Sequence, residues 1–333
     1  MATSPRGATA LRGTLYHNEV SVLQLSLALM ENIASMLIWV VLGAVVVKTG
    51  LVKGESSRVL SSLTVYVFCP CMIFNAFQIE LTRERVFGFL SCVAFAFVAY
   101  FSWILLSWLL RKPLKLSPVD ETSLVYGNVG NLVLPLVQMT LGDEMVFYAS
   151  AMQIPFNLLF WTHGISIMQG RGQFEWRKIV SNFNIWAVLL GLLFLGFQWH
   201  LPEVLQTSVS GLAHMVAPAS MMVIGMVLAG TSLKSIFTTP RAYGIALGKL
   251  VLYPLIPILL LWASGLLNHR PELVPVLMVT AIAFAAPAAS NVSQLAVVFD
   301  QEPTKASIYN ILTLFFCVIT IPLFIGLYQL LFQ

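Results

Sequence analysis

The chain has 333 residues, 58% of them hydrophobic and only 10% charged, whereas roughly a quarter are charged in a soluble domain. The formal net charge of +4 is not gathered into a basic patch with interleaved aromatics, so composition excludes both a water-soluble globular class and a nucleic-acid surface. What remains is an all-α polytopic membrane protein lying in a lipid bilayer.

The first 20 residues lack the apolar core of a signal peptide, and residues 1–26 read as an outer tail. Apolar runs near the length of about 20 residues that crosses a bilayer core follow at Leu27–Val47, Leu60–Phe77, Val86–Leu110, Thr122–Leu141 and Met145–Met168. A short loop at 169–178 leads to five more, Ile179–Phe197, Val209–Ala229, Ala242–Ala263, Leu273–Phe299 and Ile308–Phe332. Ten transmembrane helices result.

Alternate loops differ sharply in charge. One set holds Lys48, Lys53, Arg58, Arg111, Lys112, Lys115, Arg171, Arg177, Lys178, Lys234, Arg241 and Lys305, while the other holds only Arg83, Arg85 and Arg270. The positive-inside rule places the richer set in the cytoplasm. A multi-pass cell-membrane protein with both termini on the non-cytoplasmic side follows.

Prolines give a repeat. Pro70 in span two and Pro218 in span seven are 148 residues apart, and Pro135 in span four and Pro287 in span nine are 152 apart. Residues 27–168 and 179–333 therefore read as two five-helix repeats, and an odd number of spans per repeat inverts the second half in the membrane. A proline inside a helix removes a hydrogen bond and clashes with the preceding turn, so spans four and nine should break at Pro135 and Pro287 and cross. At that depth, free backbone groups survive only around a polar cavity or inside protein, and the positive ends of half-helices favour an anion.

Candidate ligand contacts are the amides and hydroxyl beside these prolines: Asn128 and Asn131 near Pro135, and Ser290, Asn291 and Gln294 after Pro287. Amides offer donors and acceptors without burying a charge. Glu31 and Lys249 are the charged residues within the spans, Glu31 near the outer end of span one and Lys249 within snorkelling reach of the cytoplasmic end of span eight. Together with His163, which could titrate near neutrality, they are candidates for a coupling or charge role. Cys69, Cys71, Cys92 and Cys317 read as packing residues. No metal site, paired carboxylates in a span, phosphate-cradling glycine loop or nucleophile elbow is found, so an enzyme is not expected and no cofactor is required.

The strings GNVGNLVLPLVQMTLGDEMVFYAS (Gly127–Ser150), VAPASMMVIGMVLAGTSL (Val216–Leu233) and AAPAASNVSQLAVVFDQEPTKAS (Ala285–Ser307) resemble the auxin efflux carrier family. That family includes plant PIN-type and PIN-like carriers and bacterial malate or malonate permeases. The resemblance implies a scaffold domain from helices 1, 2, 6 and 7, a transport domain from helices 3–5 and 8–10, and secondary transport of a small organic anion, such as a dicarboxylate or an auxin-like acid, by elevator-type alternating access. It places the crossover prolines at Pro135 and Pro287 and a substrate-facing asparagine at Asn131 or Asn128, and it makes the scaffold helices the candidate surface for a homodimer. The third string is also similar to the bile acid sodium symporters. Here the nearest acids, Asp143 and Asp300, lie eight and thirteen residues beyond the prolines, which speaks against a sodium site built from carboxylates, while neutral oxygen ligands for one sodium, or proton coupling, stay open. A sodium-coupled organic anion symporter is the alternative reading, and a transporter-like ligand sensor is an alternative of another class.

Overall fold

The computed structural model describes residues 22–169, 183–230 and 237–332. Residues 1–21 of the expected outer tail and 170–178 of the expected loop lie outside them. Every regular element among the described residues is helical. In chain order these are α1 (Val22–Lys48), α2 (Gly54–Ala76), α3 (Arg83–Arg111), α4 (Pro118–Val125), α5 (Val129–Leu141), α6 (Asp143–Ser150) and α7 (153–169), followed by α8 (Phe183–Phe197), α9 (Glu203–Ala229), α10 (Pro240–Ser264), α11 (Pro271–Phe284), α12 (Ser290–Val298) and α13 (Pro303–Phe332). Of these, α2, α3, α9, α10 and α13 are long and apolar enough to cross a bilayer by length and composition.

Local chemistry sets the ends. Thr82 caps α3 by accepting from the Arg85 amide at 3.2 Å. A reciprocal capping box between Ser117 and Asp120, with Pro118 in the first turn, starts α4. Gly265, at φ +63°, lets the chain leave α10 in the left-handed region where other residues are strained.

Proline shapes the interiors. Three π-helical turns, Thr64–Phe68, Val129–Val133 and Gly248–Leu252, each end two residues before a proline, at Pro70, Pro135 and Pro254. A proline has no amide to donate and its ring crowds the carbonyl four residues back, so the wider turn relieves the clash without ending the helix.

Two glycines bring α1 and α9 into backbone contact. A Cβ on Gly43 would lie 2.2 Å from the Met222 carbonyl oxygen, and one on Gly225 would lie 1.9 Å from that of Val40. α2 packs against α8 and α9, whereas α3 packs against α10 and α11 and α12 packs against α13. The half-helices α4, α5, α11 and α12 are thus held between two sets of longer helices.

Candidate functional site

Spans four and nine are each interrupted, and the interruptions pair with one another. Between α4 and α5 the chain runs extended at Tyr126 (φ −98°, ψ 118°), and Gly127 forms an antiparallel bridge with Ala288 in the corresponding gap between α11 and α12. The Asn128 amide donates to the Pro287 carbonyl at 2.8 Å, and the Ala289 amide donates to the Tyr126 carbonyl at 3.0 Å. Helix α13 satisfies what the bridge leaves over: Thr313 Oγ1 accepts from the Ala288 amide at 3.0 Å, and Asn310 Nδ2 donates to the Ala288 carbonyl at 2.7 Å. Buried backbone far from a helix ladder thus has its partners supplied by side chains, as its desolvation cost demands.

Pro287 lies in the break of span nine, as its position in the sequence suggested. Pro135 does not break span four. It sits buried in the first turn after a π-helical turn, and the interruption falls upstream at Tyr126–Asn128. Gly127 is what the crossing requires, because a Cβ there would come within 3.2 Å of both the Ala286 Cβ and Lys249 Nζ. A glycine allows the two strands to approach where the proline merely reshapes the next turn.

Beside the bridge lies a cavity of about 320 Å³, near the lower end of the roughly 300–1,000 Å³ found for small-molecule sites. Its wall combines Asn128, Val129, Gly130 and Asn131 at the start of α5 with Ala289 and Asn291 at the start of α12. Gly127, Val65 of α2, Gln153 and Asn157 of α7, Asn184 of α8, and the aromatics Tyr66, Phe156, Trp161 and Phe183 complete it. The first amides of a helix have no partner within it, so two helix starts with their positive dipole ends open on one volume. Among the described residues, no Asp, Glu, Lys, Arg or His belongs to this wall.

Among the sequence candidates, Asn128, Asn131 and Asn291 line the cavity. Ser290 Oγ accepts from Asn131 Nδ2 at 3.3 Å, joining the two helix starts, and Cys69 of α2 donates to Asn131 Oδ1 at 3.8 Å. Pro287 reaches the site through its carbonyl, Pro135 lies outside the wall, and the side chain of Gln294 lies outside the described residues. Glu31 is exposed on α1 and is not brought to the site. His163 lies one layer away: its Nδ1 is 3.0 Å from the Tyr126 hydroxyl, which also donates to the Leu159 carbonyl at 2.9 Å.

Lys249 departs most from expectation. It does not snorkel to an interface but is fully buried, with Nζ 3.4 Å from the Val125 carbonyl and 5.1 Å from the centroid of the Trp103 ring.

Sequence reasoning missed Gln153 and Asn157, two amides one helical turn apart in the apolar span Met145–Met168. Both are buried; Asn157 Nδ2 donates to Gln153 Oε1 at 3.2 Å and to the Gln153 carbonyl at 2.8 Å. Gln153 Nε2 is buried and has no hydrogen-bond partner among the described residues, and an added Cβ on Gly130 would lie 3.1 Å from it. Asp120 and Glu121, which precede the apolar run of span four, are buried as well. Glu121 accepts a two-pronged contact from Arg111 (2.7 and 2.9 Å), while Asp120 accepts from Arg241 at 2.7 Å and from the Tyr309 hydroxyl at 2.7 Å. These bonds tie α3, α4, α10 and α13 together at the end of α4 remote from the cavity. The S-x-x-D capping pattern of Ser117–Asp120 was the available signal for part of this cluster.

Comparison with known proteins decides the family. A profile described as "Membrane transport protein" matches residues 28–175 and 172–325, nearly the whole chain. The chain belongs to this family, that of the auxin efflux carriers. An uncharacterized transporter of Schizosaccharomyces pombe is 26% identical over 123 residues, covering 36% of this chain and 27% of the relative. The chain therefore aligns with little more than a quarter of that relative's length. The family is one of membrane transport proteins, which agrees with the five helices of this chain that are long and apolar enough to cross a bilayer.

Proposed function

We propose that this auxin efflux carrier family member is a secondary carrier of a small organic anion, whose carboxylate binds in the cavity between the starts of α5 and α12. The observation that carries this reading is the pair of helix starts with amide side chains opening on one cavity whose wall, among the described residues, contains no charged side chain. An anion there gains from both dipoles and from amide donors, whereas a metal cation would meet the wrong helix ends. The unpaired Nε2 of Gln153 supports the reading, because a buried donor without a partner is stabilised by any acceptor that reaches it.

The carrier works as an elevator. Spans one, two, six and seven form the scaffold, spans three to five and eight to ten the moving domain, and the ten spans are two inverted repeats with both termini outside. The close packing of α1 on α9 at Gly43 and Gly225 supports a stiff scaffold, and the ion pairs joining α3, α4, α10 and α13 support a moving domain that travels as one piece. A homodimer forms through the scaffold. In a cell that is negative inside, an exported anion gains about 2.3 kcal/mol per charge for each 100 mV, so uncoupled transport runs as efflux.

A thermal-shift screen of organic acids on the purified protein tests this reading. At least one mono- or dicarboxylate should raise the melting temperature of the wild type and not that of Asn131→Ala or Asn291→Ala. A panel in which no acid stabilises the protein overturns it.

A further inference from the structure

Lys249 poses a physical problem that the cavity does not explain. An ammonium carries three donors, yet Nζ makes one long hydrogen bond, to the Val125 carbonyl at 3.4 Å, and no ion pair among the described residues, although the residue is 0% exposed. Burying a charge so thinly partnered is costly unless the surrounding field favours it.

Its surroundings offset part of that cost. Val125 is the last residue of α4, and α11 ends at Phe284, just before the break of span nine. The final carbonyls of both half-helices are short of intrahelical partners and form the negative ends of their dipoles. A Cβ built on Gly127 would lie 3.2 Å from Nζ and 3.6 Å from the Ala286 carbonyl oxygen, so the ammonium and that carbonyl both flank Gly127 at the crossover. The face of Trp103 closes the remaining side at 5.1 Å and adds a cation–π attraction. Carboxylates near this region are engaged elsewhere, Glu121 by Arg111 and Asp120 by Arg241 and Tyr309. Lys249 does not belong to the cavity wall, whereas Gly127 does. The helix starts thus face the cavity, and the end of α4 on the other side of the bridge faces the lysine.

We propose that Lys249 is a tethered cation that holds the crossover together from behind, in the place where a carrier without it would need a dissociable metal ion. The consequence, resting on the carrier reading above, is that anion transport by this protein is independent of sodium. The π-helical turn at Gly248–Leu252, imposed by Pro254, helps to set the register at which Lys249 faces the bridge.

The test is thermal melting of the purified full chain in choline, sodium and methylammonium chloride, for the wild type, Lys249→Ala and Lys249→Met. The wild type should melt at the same temperature in all three salts. Lys249→Ala, which leaves the carbonyls and a space, should melt lower in choline and recover in sodium or methylammonium. Lys249→Met, which fills the space without charge, should melt lower in every salt and recover in none. A Lys249→Met protein as stable as the wild type, or a wild type stabilised by sodium as much as Lys249→Ala, overturns the proposal. Should Lys249→Ala not fold, Lys249→Met and the wild type decide alone. The readout needs no substrate, so failure of every organic acid to bind would strike the anion reading and leave this one standing or falling on its own melting curves.

Discussion

The amide of Asn128 and the carbonyl of Pro287, 159 residues apart in the chain, meet at 2.8 Å across the crossover. This contact and its companion from Ala289 to Tyr126 join two broken spans into one object, so changes to backbone approach should disable the carrier more than changes to single walls.

Gly127→Ala tests that approach. Its new methyl would meet Ala286 Cβ and Lys249 Nζ at 3.2 Å each, and overpacking of this kind costs about 1–3 kcal/mol. Melting temperature should fall, and any acid-induced stabilisation should be lost with it. Gly244→Ala is the control: nothing lies within 4 Å of its Cβ, and it sits in helix α10, so it should be neutral or stabilising by up to about 1 kcal/mol.

Thr313→Val keeps the shape of its side chain but removes the acceptor of the Ala288 amide. An orphaned buried donor costs about 1–3 kcal/mol. Denaturation of the variant should show a loss in that range, and Thr313→Ser should recover most of it. Equal stability of the valine and wild-type proteins would mean that α13 does not support the break.

The ion pairs at the far end of α4 make a separate prediction. Arg241→Ala deprives buried Asp120 of its guanidinium, leaving Tyr309 and the Ser117 amide as partners. Hydrogen bonds to charged groups contribute about 1.5–3 kcal/mol, and because the Arg241 side chain is 40% exposed the lower end applies. Stability should drop by that amount with the cavity's ligand response retained, since no cavity residue touches the pair.

Introducing charge into the wall discriminates anion from cation. Asn291→Asp places a carboxylate at the start of α12, which the helix dipole tolerates but an incoming organic anion does not. Acid-induced stabilisation should vanish at neutral pH, while Asn291→Gln should keep part of it. Stabilisation by cations in the wild type instead would reverse the assignment.

Much of this architecture was legible because membrane helices are written in long apolar runs and because Gly127, Asn128, Asn131 and Pro287 interrupt them where lipid-facing chain would carry leucine. The family match along nearly the whole chain agrees with the reading of a membrane protein of a transport family. Three features were not legible, each for a physical reason. Proline composition pointed to Pro135 as a breaking point, but a helix can absorb a proline by widening one turn, and the glycine that permits close approach decided the position instead. Lys249 looked peripheral because distance from a helix end says nothing about which face the side chain occupies. Asp120, Glu121, Gln153 and Asn157 were passed over because apolar windows end at acids and forgive single amides, while their partners Arg111, Arg241 and Tyr309 lie on other helices that no local pattern connects.

The central claim is that the crossover cavity carries organic anions, and the most direct measurement is the current across proteoliposomes containing the purified protein when an organic acid is applied on one side. At least one carboxylate should produce a saturable current with the sign of moving negative charge, unchanged when sodium is replaced by choline and absent in Asn291→Asp. Electrically silent proteoliposomes for every acid, in a preparation that melts cooperatively, would contradict it.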